Sequence, residues 1–332
     1  MNSTKAKKIA TWIIVPLMAL IFILDMVSVA VFNHLCKRYD VTQEQFNYSN
    51  GDDRIHFLNT ANSDAILIES NGRFALVDAG EGNSNPRRKT AYKGYEKEVV
   101  DYILKVCSGD DGIARLDFIL GTHCHYDHIG SFHAIITNKN IKIDKAYFKG
   151  CDENYFSGLE KKWGFKEVYN QIIEDLNSRN IPVISNLPAA PFEFGDFTLQ
   201  FYNTVNNPDL YGEGENAESV GVKVTKGEKT AFLAADITRT CGVEKLVQDD
   251  LGKINLLKIG HHGYYGSSSI NFLKALRPDV AIVTNQLGKV YPNVKWNLVM
   301  IAHCPYYATF DNNGIIASFT DDNEIILTNN IH

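Results

Sequence analysis

The chain has 332 residues, 45% of them apolar and 22% charged, with a formal net charge of −6. That is a globular balance, long enough for one large or two small domains and able to bury a core without disulfides. The mild acidity gives no support for broad nucleic-acid binding, and Cys36, Cys107, Cys124, Cys151, Cys241 and Cys304 form no CxxC pair or disulfide framework, so free thiols are expected.

Lys5, Lys7 and Lys8 precede a run over 9–32 that is apolar except mainly for Thr11, Pro16, Asp25 and Ser28. A helix over that run rises about 36 Å, enough to cross a hydrocarbon core of roughly 30 Å. Basic residues ahead of the span hold that end in the cytoplasm. The expectation is a single-pass membrane protein with an extracytoplasmic domain, or a secreted one if the chain is cut after Ala30 at Ser28-Val29-Ala30. Residues 1–32 therefore read as an anchor or signal segment, 33–53 as a polar tether and 54–332 as one domain.

Within that domain, short apolar runs at 55–58, 65–69 and 74–77 read as strands joined by tight turns, the last ending in Asp78-Ala79-Gly80. Residues 81–92 read as a loop and 95–106 as a helix. A continuous apolar run at 116–120 reads as a buried strand. Helices are expected at 132–136, 165–179 and 268–276. Strands are expected at 146–148, 197–202, 220–224, 230–234, 256–259, 280–283, 315–319 and 324–327. This order predicts an α/β fold of two packed sheets with helices outside, a four-layer αββα sandwich.

The strand at 116–120 runs into Gly121-Thr122-His123-Cys124-His125-Tyr126-Asp127-His128-Ile129-Gly130. His123 and His125 stand two apart, so extended backbone turns both imidazoles to one side. Asp127 and His128 follow where the chain should enter a helix, placed to face a second cation. Imidazole and carboxylate suit zinc, and also iron or manganese. A helix-capping role accounts poorly for three histidines and an aspartate within six residues. Two further strands end in chemistry-bearing residues: 232–235 in Asp236, and 256–259 in Gly260-His261-His262-Gly263. A strand-end aspartate of this kind can bridge two metals.

The HxHxDH segment, the strand-end Asp236 and the strand-end histidine resemble the metallo-β-lactamase superfamily, over roughly 54–328. The stretch from Leu257 to Ser269 resembles the branch containing the metallohydrolase domain of DNA-uptake competence proteins. Residues 63–72, 116–130, 181–186, 192–203 and Asp236, together with Trp163, are similar to the catalytic module of teichoic-acid phosphorylcholine esterases. The resemblance implies the metallo-β-lactamase fold and two divalent ions, zinc above others. It implies that His123 and His125 hold one metal, Asp127 and His128 the other, with Asp236 between. It aligns His262 with a ligand and His261 with a histidine that either supports the ligands or contacts substrate; the residues alone do not separate the two.

Many members of the superfamily supply a third histidine to the first metal from a segment near 200–220. No histidine occurs here between His133 and His261, and 215–219 reads Glu-Asn-Ala-Glu-Ser. That departure favours phosphodiester or phosphomonoester hydrolysis over β-lactam chemistry. The implied mechanism is attack on phosphorus by a metal-bound hydroxide positioned by Asp127 and Asp236, with His261 contacting the phosphate or protonating the leaving oxygen.

The expected partners are an envelope phosphoester and the membrane through 9–32, with no nucleic acid and no obligate protein partner. A choline headgroup would want an aromatic cage, for which Tyr92, Tyr95, Trp163, Tyr264 and Tyr265 are available. The competing readings are a nuclease of the competence type and a surface binding module with a vestigial metal site.

Overall fold

The computed structural model describes residues 3–39, 41–42, 52–85 and 93–331. Among them, one sheet has nine strands. Their order is Val41–Thr42, Ile325–Asn329, Ile315–Phe319, Arg54–Phe57, Ala65–Ser70, Arg73–Ala79, Phe118–Gly121, Ala146–Phe148 and Val183–Ile184. A second has seven, in the order Phe192–Phe194, Phe197–Tyr202, Gly221–Lys226, Lys229–Leu233, Leu256–Lys258, Val280–Val283 and Tyr306–Ala308.

Alternation along the strands divides the buried residues into three cores. In Ala65–Ser70, Ile66 and Ile68 point between the sheets while Leu67 points outward, towards helices Glu96–Cys107 and Phe165–Ser178. In the second sheet, Ala231 and Leu233 point between the sheets. Phe232 joins the outer core with helices Val243–Leu251 and Ile270–Leu276. Two faces per sheet, both apolar, give the αββα order of layers.

Several details differ from the sequence reading. The run at 116–120 is broken at Asp117. Ala114–Leu116 pairs with Ile141–Ile143 in a small separate sheet, and only Phe118–Gly121 joins the large one. Asp117 turns out to accept a 2.8 Å hydrogen bond from Arg73 Nε, so the polar residue marks the break. Helix Val243–Leu251 and the helical stretch from Pro292 to Ile301 were not expected.

The N-terminal helix is longer than the apolar run. One helix runs Ser3–Cys36, past the expected end at 32, and Trp12–Cys36 is long and apolar enough to cross a membrane, with a mean hydropathy of 2.6. Of residues 33–53, some of those described pack on the domain. Leu35 is buried in the third core, and Val41–Thr42 adds to the nine-stranded sheet alongside Leu327 and Thr328. Apolar Val31, Phe32 and Leu35 pack against the third core, which they help to cover.

In the first sheet Arg73–Ala79, Phe118–Gly121 and Ala146–Phe148 run parallel, as do the last four strands of the second. Their carboxyl ends emerge along one edge of the sandwich. Ligands gather at such edges because the loops leaving them converge without interrupting the ladders.

Candidate metal centre

Every residue of the expected site lies at that edge. Phe118–Gly121 delivers Thr122 and the histidine loop, and Lys229–Leu233 delivers Asp236. Leu256–Lys258 delivers His261 and His262. Asp78 ends Arg73–Ala79, and Asp64 precedes Ala65–Ser70.

Among the described residues, two groups of potential ligand atoms hold two histidines each. His123, His125 and Asp236 bring one donor each within 4.8 Å of one another, and Asp127, His128 and His262 do the same. Asp236 faces both. Its Oδ1 lies 3.2 Å from His128 Nε2 and 3.4 Å from His262 Nε2, and its Oδ2 lies 3.8 Å from His123 Nε2. His262 is fully buried, with Nε2 3.6 Å from Asp127 Oδ2. His261 stands at the mouth, its side chain 30% exposed and its Nε2 3.8 Å from Asp236 Oδ2. The structure thus groups His262, and not His261, with Asp127 and His128.

The outer hydrogen bonds assign the imidazole tautomers. Thr122 Oγ1 donates to Asp78 Oδ2 at 2.8 Å and so accepts from His123 Nδ1 at 3.1 Å. His128 Nδ1 donates to Asp78 Oδ2 at 2.7 Å. Thr284 Oγ1 donates to Asp64 Oδ1 at 2.5 Å and accepts from His262 Nδ1 at 3.2 Å. All three rings therefore turn Nε2 into the cleft. His125 is held the other way round: its Nε2 donates to Glu160 Oε1 at 2.9 Å, which frees Nδ1. Partners of this kind orient metal-binding imidazoles and raise their basicity.

The result calls for a cation. His128 Nε2 and His262 Nε2 point at each other 3.2 Å apart, so at most one proton fits between them. His123 Nε2 and Asp236 Oδ1 are buried without a hydrogen-bond partner. Leaving such groups unmatched costs about 1–3 kcal/mol each. Burial opposes charge on Asp236, yet His128 and His262 hold its carboxyl well below the ordinary range. Burial also works against a charged His128, but Asp236 and Asp78 raise it. His123 is pushed well down, by burial first and then by the neighbouring imidazoles. A divalent cation in each group of donors would match all of these atoms at once, so the residues fit a two-metal centre.

Beneath the site, Lys258 is fully buried and pairs with Asp64, also donating to the Ala235 carbonyl at 2.8 Å. Burial would raise Asp64, but Lys258 beside it holds the carboxyl well down. Backbone at the loop tips is left-handed: φ is 58° at Asp78, 45° at Ala235, 47° at His261 and 50° at His262. For residues with a Cβ that conformation is costly, and it is found where side chains must be aimed.

Near the missing third histidine, Glu215 Oε1 instead accepts from the Cys124 backbone N–H at 2.8 Å. Cys124 is buried with Cys151 and Glu215, not with the histidines, and the six cysteines are free. Burial pushes Glu215 up to about 8. Sequence reasoning missed Glu160, Thr122, Thr284 and Lys258. Of these only Lys258 carried a signal, a lysine inside a buried apolar run, which demands a carboxylate.

Of the five aromatic residues considered for a cage, Trp163 lies 6.3 Å from His125 and Tyr264 5.5 Å from His261, between ring centroids. Tyr265 is exposed beside Tyr291, Tyr95 packs at the first core, and Tyr92 lies outside the described residues.

A family model described as the metallo-beta-lactamase superfamily matches residues 58–284. Recombination protein 2 of Haemophilus influenzae is 26% identical over 227 residues, covering 67% of this chain and 23% of that protein. ComE operon protein 3 of Bacillus subtilis is 24% identical over 212 residues, 62% of this chain and 25% of that protein. The match thus spans about a quarter of the length of these curated relatives. Among solved structures, the metallo-beta-lactamase fold protein YhfI of Bacillus subtilis aligns with a TM-score of 0.49 at 12% identity, over 80% of this chain and all of that one. The match begins at Leu58 and ends at Thr284, so it takes in the whole cleft: the chain belongs to the metallo-β-lactamase superfamily and is a metal-dependent hydrolase.

Proposed function

We propose that this chain is a binuclear phosphoesterase, hydrolysing phosphodiesters or phosphomonoesters outside the cytoplasmic membrane to which residues 9–32 anchor it. The observation that carries the two-metal reading is the facing pair His128 Nε2 and His262 Nε2, with Asp236 reaching from them to His123. His123, His125 and Asp236 would hold one ion, and Asp127, His128, His262 and Asp236 the other, zinc by donor chemistry. Bound there, the ions supply Lewis acidity to a phosphoryl oxygen and acidity to a water. Asp127 is held below the ordinary carboxylate range: burial opposes this, and His128 and His262 enforce it. As carboxylates, Asp127 and Asp236 orient the attacking water and take its proton. His261 at the mouth contacts the phosphoryl group and protonates the leaving oxygen as its bond to phosphorus breaks.

The replacement of a third histidine by Glu215 on the Cys124 backbone supports phosphoester over lactam chemistry, as does kinship with the competence branch. The test is metal analysis joined to turnover of bis(p-nitrophenyl) phosphate and p-nitrophenylphosphorylcholine. Two metals per chain, with chelator-sensitive turnover restored by zinc, is expected. Hydrolysis of neither compound by the fully loaded protein overturns the reading. Turnover of the second compound alone would make phosphorylcholine the leaving headgroup, with Trp163 and Tyr264 as its aromatic contacts.

A nuclease is the second reading, favoured by the match to a recombination protein. Metal-dependent cleavage of single-stranded DNA at rates above those on small phosphodiesters would establish it.

A further inference from the structure

A groove of about 580 Å3 runs between the N-terminal helix and the catalytic domain. Ligand pockets commonly measure about 300–1,000 Å3. The helix contributes Ile21, Leu24, Asp25, Ser28, Val29 and Phe32, spaced three and four apart, so a single helical face forms that wall. The domain contributes Leu287, Pro292, Lys295, Trp296, Val299 and Tyr306. Val299 lies in a π-helical turn, Asn297–Ile301, a local irregularity that recurs at functional sites. Phe32 and Tyr306, with ring centroids 4.9 Å apart, close one end.

The groove's position says what solvent it meets. An anchor over 9–32 has its midpoint at about residue 20, so Ile21–Phe32 belongs to the half of the bilayer nearer the domain. The groove therefore opens onto acyl chains. Asp25 is costly at that depth, and its place on the groove face is where an intramembrane carboxylate finds polar company, with Lys295 on the opposite wall.

The same wall is attached to the metal site. Tyr291 N donates to the Gly263 carbonyl at 2.9 Å, next to His262. Leu287 follows three residues after Thr284, the partner of His262 Nδ1. Tyr264 links edge-on to both His261 and Tyr291, at 5.5 and 6.0 Å between centroids.

Resting on the phosphoesterase and anchor readings above, we infer that this groove receives an acyl chain of a membrane lipid, and that the substrate of the site is a lipid-borne phosphoester. Water attacks the lipid phosphorus, and the bond to one ester oxygen breaks, that oxygen leaving as an alcohol.

The probe is long-chain phosphatidylglycerol carrying a diazirine on its acyl tail, in vesicles with the full-length protein. Crosslinks to domain residues 287–299 are expected in the wild type. They should be lost in Ser28→Trp, which fills the groove from the helix, and kept in Val27→Trp, on another helical face. Ser28→Trp should also lower hydrolysis of long-chain phosphatidylglycerol by about tenfold or more. Its turnover of bis(p-nitrophenyl) phosphate should stay within about twofold. Crosslinks confined to the helix, crosslinks indifferent to Ser28→Trp, or chain-to-chain contacts through the groove would overturn the assignment. Domain crosslinks behaving as expected, without hydrolysis of either compound, would uphold the groove and sink the phosphoesterase reading instead.

Discussion

The two sheets contribute to the candidate metal centre in different ways. The nine-stranded sheet supplies four candidate ligands from one loop, His123 to His128, in which no residue has a positive φ. The seven-stranded sheet supplies Asp236 and His262 from the ends of two strands, and Ala235, His261 and His262 are all left-handed. A contiguous motif is brought together by local backbone geometry, and Asp78 and Glu160 then orient its rings. Dispersed ligands need the tertiary frame to hold them, and here that frame includes backbone strain and a buried ion pair.

The largest test of this contrast removes one carboxylate from each side. Asp127→Ala and Asp236→Ala should each lower kcat by about a thousandfold or more with the fold intact by circular dichroism. Their metal contents should differ: Asp127→Ala keeps the ion at His123 and His125, whereas Asp236→Ala weakens both. Equal stoichiometry in the two variants would contradict the placement of Asp236 between the groups.

Next in size is the frame itself. Lys258→Met leaves Asp64 buried and unpaired, and should cost about 3–5 kcal/mol in denaturant unfolding. Adding Asp64→Asn should recover much of that loss. A single Lys258→Met variant as stable as the wild type would show that the pair does not support the second sheet's ligands.

A pH prediction addresses the loop that carries His262. Its far end is tied down by Glu244, whose carboxylate accepts from Ser269 N at 3.2 Å and which burial pushes from 4.5 up to about 7. The folded chain therefore holds a proton there that the unfolded chain has released. Stability should fall as pH rises from about 4.5 to 7, by on the order of 3 kcal/mol, and level off above. Glu244→Gln should remove this slope; an unchanged slope would assign it to other groups.

The smallest effect concerns strain. Ala235→Gly, at φ 45°, relieves a left-handed Cβ at the cost of glycine's entropy, and should raise stability by up to about 1 kcal/mol. A clear loss of stability would mean that the tip is not strained.

The same contrast explains what could be read in advance. Strands 197–202, 280–283 and 315–319 coincide with the observed ones because each pairs steady apolarity with clear turn residues at its ends. The loop from His123 to His128 was legible because its residues are adjacent. Asp236 and His262 were legible only as strand ends. Glu160 was not, since a lone glutamate in a short turn has no pattern until folding brings it to His125. Docking of Leu35 and of Val41–Thr42 onto the domain was hidden for a similar reason: two residues carry no periodicity.

The link between Lys258 and Asp64 joins the last half of the chain to the first, directly under the cleft. A chain still being made exposes His123 to His128 long before Asp236 and His262 exist. The full set of candidate ligands therefore exists only once the two sheets have closed on each other.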